Sequence, residues 1–121
     1  MSATSGLART PEPPYHAVIF TSKRASDDAR AYGEVAQRMV DLGSRYPGFL
    51  GLESARGADG LGITVSYWRD EAAILEWKRD TEHEKAQRAG RAAWYDAYEV
   101  RVARVERAYG FVRDAAPPGS V

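Results

Sequence analysis

The run Tyr46-Pro-Gly-Phe-Leu-Gly-Leu-Glu-Ser-Ala-Arg-Gly-Ala-Asp-Gly-Leu-Gly-Ile-Thr-Val-Ser-Tyr-Trp68 decides the architecture. Pro47 cannot continue a helix arriving from upstream, and Gly48 permits the turn that leaves it. Two apolar runs follow, over residues 49–55 and 61–68, separated by Gly57-Ala58-Asp59-Gly60. Gly and Asp tolerate positive φ, so this spacer is expected to close a hairpin. Leu61, Ile63, Val65 and Tyr67 alternate with other residues, as a strand on a pleated sheet requires.

Upstream, residues 15–23 form an expected strand. His16, Val18 and Phe20 lie on one face, and Ala17, Ile19 and Thr21 on the other. Both faces are mostly apolar, so both are expected to be covered. Ser26, Asp27 and Asp28 offer capping oxygens for a helix. Its packing stripe is Tyr32, Val35, Ala36, Met39, Val40 and Gly43.

Downstream, Asp70 is the expected N-cap of a helix bearing Ala73, Ile74 and Trp77. Thr81-Glu-His-Glu84 matches a capping box, which predicts a break near Asp80 and a fresh helix start. Residues 94–109 read as a long last strand. Tyr98, Val100 and Val102 are in one phase and Ala103 and Val105 in the other, which predicts a bulge at Val102-Ala103.

The order strand, helix, strand, strand, helix, strand predicts an α+β, ferredoxin-like β-α-β-β-α-β fold. Its four-stranded antiparallel sheet carries the helices on one face. The remaining apolar face and the long last strand predict a homodimer. Residues 1–14, rich in Ser, Thr, Ala and Pro, are expected to be a mobile arm. Residues 15–112 form the folded domain, and 113–121 a flexible tail.

The 121 residues include 17 basic and 17 acidic side chains, no Cys and two His. Balanced charge without a basic block argues against nucleic acid or an anionic membrane as partner. The absence of Cys rules out disulfides, thiol nucleophiles and thiolate metal sites, and it fits a reducing cytoplasm. Two His make an all-protein metal site an unfavourable reading. No apolar run approaches a membrane span, and the first ten residues lack a secretory pattern. A cytoplasmic protein is the resulting expectation.

Tyr46-Pro-Gly-Phe-Leu-Gly51, Ile63-Thr-Val-Ser-Tyr-Trp68, and Trp77 with Glu82-His83 and Ala86-Gln87 resemble the antibiotic biosynthesis monooxygenase (ABM) family. The resemblance implies a dimeric α+β barrel. The family holds cofactor-free oxygenases of aromatic polyketides, haem-degrading monooxygenases and proteins with no known activity. The haem-degrading branch carries an Asn on the first strand, a Trp on the second helix and a haem-ligating His beyond it. Trp77 matches the Trp. The first strand has no Asn, and the ligand position falls on Gln87, with His83 a turn earlier. Gln is a poor axial ligand for haem iron.

A catalytic reading makes His83 a base, since a neutral imidazole near a helix start can accept a phenolic proton. The bland alternative is a surface or helix-cap His. Gln87 and Arg91 follow His83 at one-turn intervals, placing an amide and a fixed cation on the same helix face. A solvated flank is the alternative for Arg91. Trp77, Tyr67 and Trp94 are candidate walls of an aromatic pocket, against plain core packing.

These residues favour a monooxygenase acting on a small aromatic or polyketide-like substrate without a metal cofactor. A haem-binding enzyme using His83 is the second reading. The third is a non-catalytic dimer that binds a metabolite.

Overall fold

The computed structural model describes residues 6–24, 41, 43–87 and 95–113; for Arg24, residues 81–87, Tyr95 and Asp96 it describes the backbone alone. Four strands are present: β1 (Tyr15–Arg24), β2 (Phe49–Arg56), β3 (Leu61–Trp68) and β4 (Tyr95–Val105). One helix, α1 (Glu71–Gln87), lies between β3 and β4. The strand order is β2-β3-β1-β4, with every neighbouring pair antiparallel. β1 and β2 are therefore parallel and separated by β3, and β3 and β4 are parallel and separated by β1. Parallel strands need a long crossover, and α1 supplies the second one. This is the expected ferredoxin-like sheet. The first expected helix falls almost wholly outside the described residues, although Asp41 and Gly43 near its end are helical.

Local chemistry explains the turns. The Phe49 amide donates to the Tyr46 carbonyl at 3.2 Å across Pro47-Gly48. Gly48 has a φ of 92°, the pattern of a type II turn with Pro second and Gly third. The hairpin closes through the Gly57 amide to the Leu61 carbonyl at 2.8 Å, with Gly60 at a φ of 89°. Asp59 Oδ1 accepts from the Leu61 amide at 3.0 Å. That bond, with Lys23 nearby, holds the Asp59 carboxyl below its ordinary range.

Asp70 caps α1 as expected, its Oδ1 accepting from the Ala73 amide at 2.9 Å. The predicted break near Asp80 does not occur: α1 is helical without interruption from Glu71 to Gln87. A capping box acts only when its Thr leaves helical geometry. No Gly or Pro lies between positions 71 and 87, and most residues around Thr81 are good helix formers. A hydrogen bond from the Tyr46 hydroxyl to Asp80 Oδ2 ties this part of the helix to the turn before β2.

The last strand also departs from expectation. It ends at Val105, and its pairing with β1 runs in constant register from Tyr15↔Val105 to Lys23↔Ala97. The irregularity lies between Lys23 and Arg24, at the opposite end from Val102-Ala103. Tyr98, Val100 and Val102 fall on the helix face and Ala103 and Val105 on the outer face by simple alternation, which needs no bulge.

Register fixes which residues share a face. His16, Val18, Phe20 and Ser22 align with Trp68, Ser66 and Thr64 on the face that carries α1. Tyr15, Ala17, Ile19 and Thr21 align with Tyr67, Val65 and Ile63 on the outer face. The core lies on the helix face: Val18, Trp68 and Ile74, with Tyr46, Phe49, Ala73 and Trp77 packed around them.

Candidate active site

The aromatic wall on the helix face is built by Trp68 and Trp77. Trp68 closes β3 with 0% exposure, and its Nε1 donates to Ser66 Oγ at 2.9 Å. Internal satisfaction of the indole N–H is what lets a polar-edged ring sit fully buried. Phe49 meets Trp68 edge-on at 5.4 Å and 80°. On the other side Trp77, half-buried on α1, lies 5.3 Å from Trp68 at 38°. Gly43 flanks the indole, since a Cβ there would come within 3.6 Å of Trp77 Nε1. Three aromatic rings thus form a floor, with Trp68 fully buried and Phe49 and Trp77 partly exposed.

Tyr67 does not belong to that wall. It lies one residue before Trp68 and so faces the opposite side of the sheet. There its ring meets Tyr15 edge-on at 5.8 Å, and its hydroxyl donates to Glu53 Oε1 at 2.6 Å. Burial, and then the bond to Glu53, push the Tyr67 phenol up to about 12. A phenol held protonated on the outer face is a structural donor, and the sheet separates it from Trp77. The residue that shares the compartment with Trp77 is Trp68. Matching its phase to Val18 across β1 would have found it.

His83 and Gln87 lie on the unbroken α1, so their one-turn separation holds along the backbone; their side chains lie outside the described atoms. Arg91 and Trp94 lie outside the described residues. His16 is a group that the sequence reading passed over. It sits on the helix face across from Trp68, its Nε2 3.8 Å from Glu71 Oε1 and its Nδ1 buried without a hydrogen-bond partner among the described residues.

An open cleft of about 440 Å³ lies elsewhere, between residues 8–13 and 108–110, and holds none of the expected site residues. Among the described residues no helix is long and apolar enough to cross a membrane. Nor do three His, Asp or Glu among them gather where a metal ion could be held.

The sheet order, the Pro47-Gly48 turn and the Trp77-bearing helix coincide with a match of residues 15–89 to the profile of the antibiotic biosynthesis monooxygenase (ABM) family. The chain belongs to that family. Among similar proteins, the uncharacterized protein YqjZ of Bacillus subtilis is 56% identical over 101 residues, which cover 84% of this chain and 88% of that protein. Jasmonate monooxygenase ABM of Pyricularia oryzae is 28% identical over 93 residues, covering 74% of this chain but 42% of that longer protein. The fold is shared with SnoaB of Streptomyces nogalater, a cofactor-independent oxygenase, at a TM-score of 0.63 and 17% identity. That likeness covers 79% of this chain and 97% of SnoaB. PA3566 of Pseudomonas aeruginosa is similar in fold, at 0.61 and 21%, covering 82% and 99% of the two chains.

Proposed function

We propose that this ABM-family protein is a monooxygenase of a small aromatic or polyketide-like substrate, working as a homodimer without a metal cofactor. The observation that carries the reading is the half-buried Trp77 ring packed at a 38° tilt against the fully buried Trp68, an aromatic surface on the helix side of the sheet. A planar, electron-rich substrate fits such a surface. The fungal relative, a jasmonate monooxygenase, and SnoaB, a cofactor-independent oxygenase, add support for oxygenation.

The proposed chemistry needs little from the protein. A deprotonated phenol or enol reduces dioxygen itself; when a ring CH2 becomes C=O, one oxygen atom enters the substrate and the other leaves as water. His83 takes the proton, and Gln87 and Arg91 stabilise the resulting anion. Trp77 and Trp94 line the enclosure that keeps water away. Tyr67 is left to the outer face. Leu61 and Ile63, on that face and 47% and 45% exposed, support burial against a second copy.

Gln87 at the ligand position of the haem-degrading branch weighs against haem, since a carboxamide is a poor axial ligand.

The test is a panel of hydroxyquinones and anthrones, read by tryptophan fluorescence and oxygen uptake. Binding is expected to quench the wild type and to spare Trp77→Phe. His83→Ala is expected to keep binding and lose at least ~100-fold in turnover. Turnover unchanged in His83→Ala would remove the proposed base. Haemin titrated in parallel is expected to form no Soret band. A band that His83→Ala abolishes would replace this reading with a haem one.

A further inference from the structure

The outer face of the sheet contains a carboxylate that a segment outside the sheet satisfies. Glu53 lies on β2 opposite Val65. Its Oε1 accepts from the Tyr67 hydroxyl at 2.6 Å, and its Oε2 accepts from the Ala8 amide at 2.9 Å. Ala8 rests directly on Gly51, where a Cβ would come within 3.1 Å of the Ala8 Cβ. Two residues on, Thr10 Oγ1 donates to the Tyr15 hydroxyl at 2.8 Å. Where the segment lies over the sheet, Tyr15 and Ala17 are only 4% and 5% exposed. At the other end of the same face Leu61 and Ile63 stand bare, with Glu53 near the boundary.

We propose that residues 8–10 are a built part of the surface through which this protein pairs with itself: the Ala8 amide and Tyr67 together satisfy Glu53, so that the outer face of a second copy can cover it. The inference rests on the homodimer proposed above and names the contact that makes it possible. A carboxylate sealed beneath a partner with one oxygen unpaired opposes association, whereas two charge-assisted bonds make its burial tolerable. The occupant is a second copy because the face is balanced in charge. Register places Lys23, Glu53, Glu99 and Arg101 on it, two of each sign, so a two-fold related copy meets no field of its own sign. The bare apolar end supplies the area to be buried. The rival arrangement, in which residues 8–10 take the partner's place on the sheet, predicts the opposite response.

Sedimentation velocity on full-length wild type, Ala8→Pro, Glu53→Gln and the double variant separates these. Proline removes the amide hydrogen and nothing from Glu53. The wild type is expected to be a dimer. Ala8→Pro is expected to weaken it about tenfold per copy, hence on the order of a hundredfold, because a two-fold dimer contains the contact twice. Glu53→Gln in that background is expected to bring the dissociation constant back to within about threefold of wild type, since the neutral amide does not demand the missing donor. A monomeric wild type would overturn the dimer itself. A wild-type dimer that Ala8→Pro leaves equally tight, tightens, or weakens without rescue by Gln would overturn the role of residues 8–10 alone. Gly51→Val lifts Ala8 from beneath while keeping its amide, and it is expected to weaken the dimer as well. If Ala8→Pro fails to fold, a dimer unaffected by Gly51→Val overturns the inference.

Discussion

Replacing Gly48 by Ala tests how α1, and with it Trp77, is seated on the sheet. Gly48 has a φ of 92°, and a Cβ at this position would lie 2.8 Å from the Ala73 Cβ in the first turn of α1. The left-handed backbone costs an L-residue ~1–2 kcal/mol. Forcing a methyl against Ala73 adds ~1–3 kcal/mol of overpacking, for a total of about 2–5 kcal/mol. The Arg69 amide, which donates to the Gly48 carbonyl at 2.7 Å, leaves the turn little room to move away. Ala73→Gly alone costs up to about 1 kcal/mol in helix propensity. If the clash is real, the double variant loses only the backbone strain and that propensity, about 2–3 kcal/mol. The cycle then shows a favourable coupling of ~1–3 kcal/mol. Urea unfolding followed by tryptophan fluorescence measures all four proteins. Additivity to within ~0.5 kcal/mol would refute the reasoning, because it would mean that Gly48 and Ala73 do not touch.

Two further outcomes are expected. Asp70→Ala removes the acceptor of the Ala73 amide and should cost ~1 kcal/mol in urea unfolding, with 0.5–2 as the usual span; an unchanged midpoint would show that α1 starts without this cap. Tyr67, raised from 10.0 to about 12, binds its proton more tightly folded than unfolded. Its contribution is therefore complete below pH 10 and lost as pH climbs through 12. Denaturation midpoints across that window should fall less steeply for Tyr67→Phe than for wild type, and parallel slopes would contradict a phenol raised by burial and by its bond to Glu53.

The places where the sequence reading succeeded and failed share one logic. The hairpin at Gly57-Gly60, the turn at Pro47-Gly48 and the cap at Asp70 each depend on a bond between residues at most four apart. Residue chemistry settles such features before anything else folds. Thr81 has the right neighbours for a cap as well. Helix propensity through Lys78, Arg79 and Glu82, with the Tyr46 bond to Asp80, favours continuation, and Tyr46 is 34 residues away. On β4, two apolar phases look like a bulge until pairing with β1 is known to run in constant register through Val102 and Ala103.

From residues alone, then, the chain determined its periodicities, its turns and hence its ferredoxin-like order, because alternation and turn chemistry act within a few bonds. The ABM motifs were equally legible. Tertiary structure alone decided which of two adjacent aromatics meets Trp77: the residue at 68 and not the one at 67, since a side-chain period of two sends neighbours to opposite faces and only pairing with β1 says which face carries α1. It also brought Ala8 to Glu53 across 45 positions of sequence. That contact has no local signature, because a backbone amide is the same at every residue, and only the folded sheet places a carboxylate opposite this one.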